Sequence, residues 1–211
     1  NYYRGKGRAL KANVEEAISV AAVISCLFIP PLALFGEEAG LLLFSDRLSG
    51  KIIAYSSYLL LPLSLNMISS GILNSMQGEK VTLIAFAVGS VCLLTCVVLL
   101  PPLIGIYAIC VGSGLEAIAA SSLQFFFLYK RCPQKPRIVR PVLLSLLPLV
   151  PAFLLGALTK PLLFRFFSAV PAIAIGCVLT LGVALAFYAF LGLLPRPKLL
   201  RKKHKIQENF A

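Results

Sequence analysis

The sequence predicts an all-α protein, a polytopic membrane helix bundle of about six transmembrane helices. Three observations carry this. Of the 211 residues, 59% are hydrophobic, against roughly 45–50% apolar residues in a soluble domain. The excess is gathered into long uncharged runs. A span needs about 20 mostly apolar residues at 1.5 Å rise each, whereas a run of about 10–14 fits the core helix of a soluble protein. The cations that bring the net charge to +12 sit between these runs and at the two ends, which is how a membrane protein uses Lys and Arg.

The first span is expected over residues 14–35. Glu15 and Glu16 stand in its first turn, where acids favour the positive end of the helix dipole. Pro30-Pro31 near its far end is expected to kink or thin the helix. The second span is expected over 52–75, the third over 81–100, the fourth over 103–129, the fifth over 139–158 and the sixth over 169–194. Gln77-Gly78-Glu79-Lys80 joins spans two and three, and Pro101-Pro102 breaks the chain between spans three and four. Links this short make neighbouring helices antiparallel. The longest link, 36–51, carries Glu37, Glu38, Asp46 and Arg47. The organisation is thus a basic segment (1–13), a six-helix transmembrane domain (14–194) and a basic tail (195–211).

Lys and Arg in the links set the orientation. Arg4, Lys6, Arg8 and Lys11 precede span one. Lys130, Arg131, Lys135, Arg137 and Arg140 follow span four. Arg196, Lys198, Arg201, Lys202, Lys203 and Lys205 fill the tail. With six spans these regions share one side together with Lys80. The opposite links hold Arg47 and Lys51, then none, then Lys160 and Arg165. The basic side is therefore expected in the cytoplasm with both termini, in a multi-pass protein of the plasma membrane. The tail is expected to touch anionic membrane lipids, at roughly 1 kcal/mol per cation near the surface.

In a soluble chain this charge would point to nucleic acid; its placement argues against that partner. Cys26, Cys92, Cys96, Cys110 and Cys177 lie in apolar runs and Cys132 in a basic loop. Cys92 and Cys96 are one turn apart, but no His or acid stands near them, so buried cysteines acting as small hydrophobes are expected. The single histidine, His204, lies among tail cations. No phosphate loop, Ser/His/Asp set or metal-spaced cluster is present. Neither an enzyme nor a metal or other cofactor is expected. The chain begins at Asn1 with a basic segment that has no signal-peptide core, and reads as a piece whose N-terminal part is missing.

Polar groups inside the spans are the candidates for function. Glu116 is the one acid well inside an apolar run, and such residues usually face a cavity or a partner. Gln124 follows by eight residues, on roughly the same face. Gly112, Ser113 and Gly114 just before Glu116 allow close approach of another helix. In span two, Asn66, Ser70 and Asn74 recur every four residues, with Ser69 alongside and Pro62 upstream. Such a stripe suits a helix lining a hydrated pathway. It equally suits packing glue, at about 0.6 kcal/mol per hydrogen bond. Glu116 reads as a transport-path or coupling residue, or as a carboxyl hydrogen-bonded to a neighbouring helix.

Span two ends in Ser69-Ser70-Gly71-Ile72-Leu73-Asn74-Ser75-Met76-Gln77-Gly78-Glu79-Lys80. This resembles a segment of the polysaccharide-biosynthesis and oligosaccharide flippases, the stage V sporulation protein B group among them. Pro102-Leu103-Ile104-Gly105-Ile106-Tyr107 is similar to that family's turn into a Gly- and Ser-containing helix, and Tyr129-Lys130-Arg131 to its basic exit. The resemblance covers nearly the whole chain, through order and spacing. It implies the last six of about fourteen helices in two lobes, with the N-terminal lobe as partner. It also implies movement of a lipid-linked oligosaccharide, a cell-wall, spore-cortex or polysaccharide precursor, by alternating access. The lipid pyrophosphate needs Arg or Lys, and none is expected deep in these spans. Two other readings stand beside this one. The first is a multidrug or toxin extruder of the same superfamily, coupled to a cation through an acid such as Glu116. The second is a non-transporting scaffold or partner subunit.

Overall fold

The computed structural model describes residues 7–132 and 135–193. The basic tail 195–211 and the cations Arg4 and Lys6 lie outside the described residues. Helix α1 (Gly7–Phe44) is followed by α2 (Arg47–Ser56), a single 3-10 turn (Ser57–Leu59) and α3 (Leu60–Ser75). Then come α4 (Glu79–Leu99), the short α5 (Pro101–Ile104), α6 (Tyr107–Arg131), α7 (Val139–Leu146), α8 (Leu149–Phe166) and α9 (Ala169–Phe190). No strand occurs among the described residues. Six helical stretches are long and apolar enough to cross a membrane, with α2–α3 and α7–α8 each counting as one.

The expected link 36–51 is not a link. Helix α1 runs through Pro30 and Pro31 to Phe44, and Ser45 and Asp46 alone separate it from α2. Two features make this turn. Ser45 takes a positive φ of 52°. Asp46 caps α2, its carboxylate accepting from Leu48 N, Ser49 N and the Ser49 hydroxyl. The two helices then lie backbone to backbone. A Cβ at Gly40 would stand 2.2 Å from Gly50 Cα, and one at Gly50 would stand 2.3 Å from the Glu37 carbonyl oxygen. Small residues allow such contact between membrane helices. Arg47 closes the hairpin at 2.9 Å from Glu37.

Glu15-Glu16 and Glu37-Glu38 bracket the longest uncharged stretch of α1. The uncharged 20 residues between them span about 30 Å, close to the thickness of the hydrocarbon core. The remainder of α1 extends past both ends of this stretch.

Helix α1 is the most buried span and packs against α2, α3, α7, α8 and α9. Ile18, Val23, Cys26, Ile29 and Phe35 lie on its inward side. Helix α3 joins this group to a second one, packing on α6, which in turn lies along α4. The fifth span is broken at Leu147-Pro148, and α8 continues to Phe166. Lys160 and Arg165, expected in a link, therefore stand on a helix. Gly105, at φ 59° and ψ −138°, turns the chain into α6 with a backbone shape that only glycine adopts easily.

Candidate functional site

A cleft of about 470 Å³ opens between α2 and α6. Lys51 and Tyr55 are one turn apart on α2 and share a face. Tyr107 and Cys110 face them from the first turn of α6, and Leu59 and Ile104 complete the apolar wall. The Tyr55 ring meets Tyr107 edge-on at 5.2 Å between centroids, the favoured arrangement for an aromatic pair. Cys110 Sγ lies 3.5 Å from Ser56 Oγ. Lys51 follows Gly50, which packs on Glu37, so Lys51 stands beside the far end of the uncharged stretch of α1. The cleft thus combines one exposed cation, two tyrosine rings and apolar walls. It can hold an amphipathic anion.

The residues singled out in the sequence fall into three places. Ser69 and Gln124 come together in the seam between α3 and α6, and Asn66 lies one turn before Ser69 on α3. All three are buried. The Ser69 hydroxyl meets Gln124 Oε1 and also lies 2.7 Å from the Leu65 carbonyl. Asn66 Oδ1 and Gln124 Nε2 are buried without a partner among the described residues. Ser70 turns away and bonds its own helix at the Met67 carbonyl, 2.8 Å. Asn74 is exposed. The four-residue stripe is thus divided, and Ser69 rather than Ser70 reaches across.

Glu116 packs in the other seam of α6, against α4. A Cβ at Gly89 would lie 3.0 Å from Glu116 Cγ, so glycine is what lets the acid lie flat there. The Glu116 carboxylate is half-buried and forms no hydrogen bond or ion pair with another described residue.

Two constellations were not foreseen. Lys160 Nζ stands 2.7 Å from Glu38 Oε1, 2.5 Å from the Leu34 carbonyl and 5.9 Å from the Phe35 ring centre. It ties α8 to α1. At the middle of α1, Cys26 Sγ lies 3.7 Å from Ser145 Oγ, and Tyr188 donates to the Ser145 carbonyl at 2.6 Å. Lys160 carried a readable signal, a lone cation beside Pro161 after a long apolar run. No pattern in the sequence pairs it with Glu38.

No group of three or more metal-ligating side chains gathers among the described residues. No family model matches the chain, and neither a curated protein nor a solved structure matches it. The resemblance to the flippases therefore rests on the motif residues quoted above.

Proposed function

We propose that the chain handles an anionic lipid-linked sugar, as the C-terminal part of a flippase that moves lipid-linked oligosaccharide across the plasma membrane by alternating access. The observation that supports this reading is the cleft between α2 and α6. Lys51 offers a cation at the level of the head groups, where a lipid pyrophosphate lies, and charge-assisted hydrogen bonds to phosphate are the strong ones. Tyr55 and Tyr107 offer rings with hydroxyl tips to a sugar. Leu59 and Ile104 suit the first carbons of a polyprenyl chain. An N-terminal lobe supplies the second bundle that rocking transport requires.

The chain contains no tryptophan, so Tyr55→Trp places a single indole reporter in the cleft. A polyprenyl-pyrophosphate-linked sugar is expected to change its fluorescence saturably, and the uncharged polyprenol is not. Lys51→Gln in that background is expected to weaken binding about tenfold, the size of one charge-assisted hydrogen bond. Equal responses to the sugar lipid and the polyprenol would defeat the reading.

A second reading, a cation-coupled drug or toxin extruder, draws support from Glu116, whose carboxylate lies in a helix seam without a bonding partner among the described residues. It expects transport to disappear in Glu116→Gln and to survive Lys51→Gln.

A further inference from the structure

Three helix ends converge at one end of the bundle: α1 and α7 begin there and α9 ends there. Between them lies a second pocket of about 350 Å³, within the range of sites that hold small ligands. The chain entering α7 contributes Arg137, and α7 itself Arg140. Pro141, Leu144 and Leu193 supply apolar wall, and Glu15 and Glu16 of α1 close the other side. Charges begin here where three uncharged stretches stop: residues 17–36 of α1, 141–159 of α7 and α8, and 166–195, which hold α9.

Both carboxylates are already engaged. Glu15 Oε1 accepts the Arg137 backbone N–H at 2.6 Å, and Glu16 has an interaction of its own. The Glu15 bond goes to the Arg137 backbone and not to its guanidinium, so it holds the segment in place and leaves the fork free. The Arg137 and Arg140 side chains are exposed and form no ion pair or hydrogen bond among the described residues. The wider end is cationic as well. Val14, Met76, Cys132 and Ile138 pack in one cluster there, which brings in Lys11, Lys80, Lys130 and Arg131 against Glu79. An anion entering the pocket therefore meets two free guanidinium forks in a positive field, and each fork matches phosphate geometry. A head-group ammonium would find both carboxylates engaged.

We propose that this pocket binds an anionic phospholipid, with its phosphodiester on Arg137 and Arg140 and its acyl chains leaving along Pro141, Leu144 and Leu193. The head group then lies where the charges begin, and the chains run beside the uncharged stretches. A zwitterionic phospholipid offers the same phosphate but adds an ammonium, which meets two arginines and no free acid. A soluble phosphodiester offers the anion without the apolar contact. This site is separate from the cleft between α2 and α6 and does not depend on what that cleft carries.

The test is native mass spectrometry of the full chain with phosphatidylglycerol and phosphatidylcholine of identical acyl chains. The glycerol lipid is expected to bind about tenfold more tightly, and the double variant Arg137→Gln/Arg140→Gln to lose that preference. Phenylglyoxal labelling locates the site in the unaltered chain, so the test stands if the double variant fails to fold. Phosphatidylglycerol is expected to protect Arg137 and Arg140 where phosphatidylcholine does not, with Arg165 labelled equally in both. Equal binding of the two lipids overturns the proposal, as does equal labelling of Arg137 and Arg140 with either lipid. A preference that survives the double variant also overturns it and assigns the lipid to other cations, such as those of the tail. So does displacement of the lipid by an equal concentration of free glycerophosphoglycerol, which would make the ligand a soluble one.

Discussion

The two sides of the bundle bury their polar side chains differently. Where α1 meets α7, α8 and α9, polar groups are matched across helices. Tyr188 donates to the Ser145 carbonyl, and Lys160 serves both Glu38 and the Leu34 carbonyl. One oxygen, Glu38 Oε2, is left over. Where α6 meets α3, Arg131 donates to the Met76 carbonyl at 3.2 Å and Ser69 to Gln124, but two amide atoms, on Asn66 and Gln124, are unmet among the described residues. A buried polar atom without a partner costs about 1–3 kcal/mol. The other seam of α6, against α4, is held by close packing of small residues, such as Gly89 against Glu116 and Gly112 against Leu93 and Cys96. The α1 side is fastened, and the α6 side has less to lose by shifting. The cleft stands against α6, on the less fastened side.

This contrast can be broken by substitution, read as unfolding free energy in bicelles. The largest effect is expected for Lys160→Met, which strands Glu38. The pair is about a quarter to a third exposed, between the surface pairs worth about 0–1 kcal/mol and the buried ones whose breakage costs about 3–5 kcal/mol. A loss of about 2 kcal/mol is expected, with at least half recovered in the double variant Glu38→Gln/Lys160→Met. Tyr188→Phe removes one buried hydrogen bond and is expected to cost about 1 kcal/mol. Gln124→Leu is expected to change stability by less than about 0.5 kcal/mol, because it also removes an unmet amide. A loss for Gln124→Leu as large as that for Tyr188→Phe would erase the difference between the two sides.

The smallest effect concerns the α1–α2 hairpin. The Ser49 hydroxyl, then the Ser49 and Leu48 backbone N–H groups, hold the Asp46 carboxyl below its usual range. A group whose value is lowered by folding stabilises the fold above its unfolded value, about 3.9. That contribution is lost as pH falls through the lower folded value. Thermal stability is therefore expected to fall below about pH 4, and Asp46→Asn is expected to flatten that part of the profile. An unchanged profile in Asp46→Asn would assign the acid sensitivity to other carboxylates. Outside the spans at the opposite end, burial pushes the Cys132 thiol up.

The six spans were legible because a run of about 20 uncharged residues has little alternative to crossing a bilayer. Their ends were less so. Glu37, Glu38 and Lys160 read as link residues, since composition marks where the apolar layer stops and not where the helix stops. What carries α1 on to Phe44 is its contact with α2 through Gly40 and Gly50, a tertiary fact. Similarly, Asn66 and Gln124 were identifiable one by one as polar groups in apolar runs. That Gln124 meets Ser69 depends on how α3 and α6 rotate against each other. The cleft was hidden because its walls come from α2 and α6. The Lys51 and Tyr55 spacing was its one local trace.

The most direct measurement is transfer of a polyprenyl-pyrophosphate-linked oligosaccharide across proteoliposomes holding the chain together with the N-terminal lobe proposed above, compared between Lys51→Gln and Glu116→Gln. Lys51→Gln is expected to lower transfer about tenfold, and Glu116→Gln to leave most of it. Loss of transfer in Glu116→Gln with Lys51→Gln unaffected would contradict that expectation and favour the cation-coupled extruder.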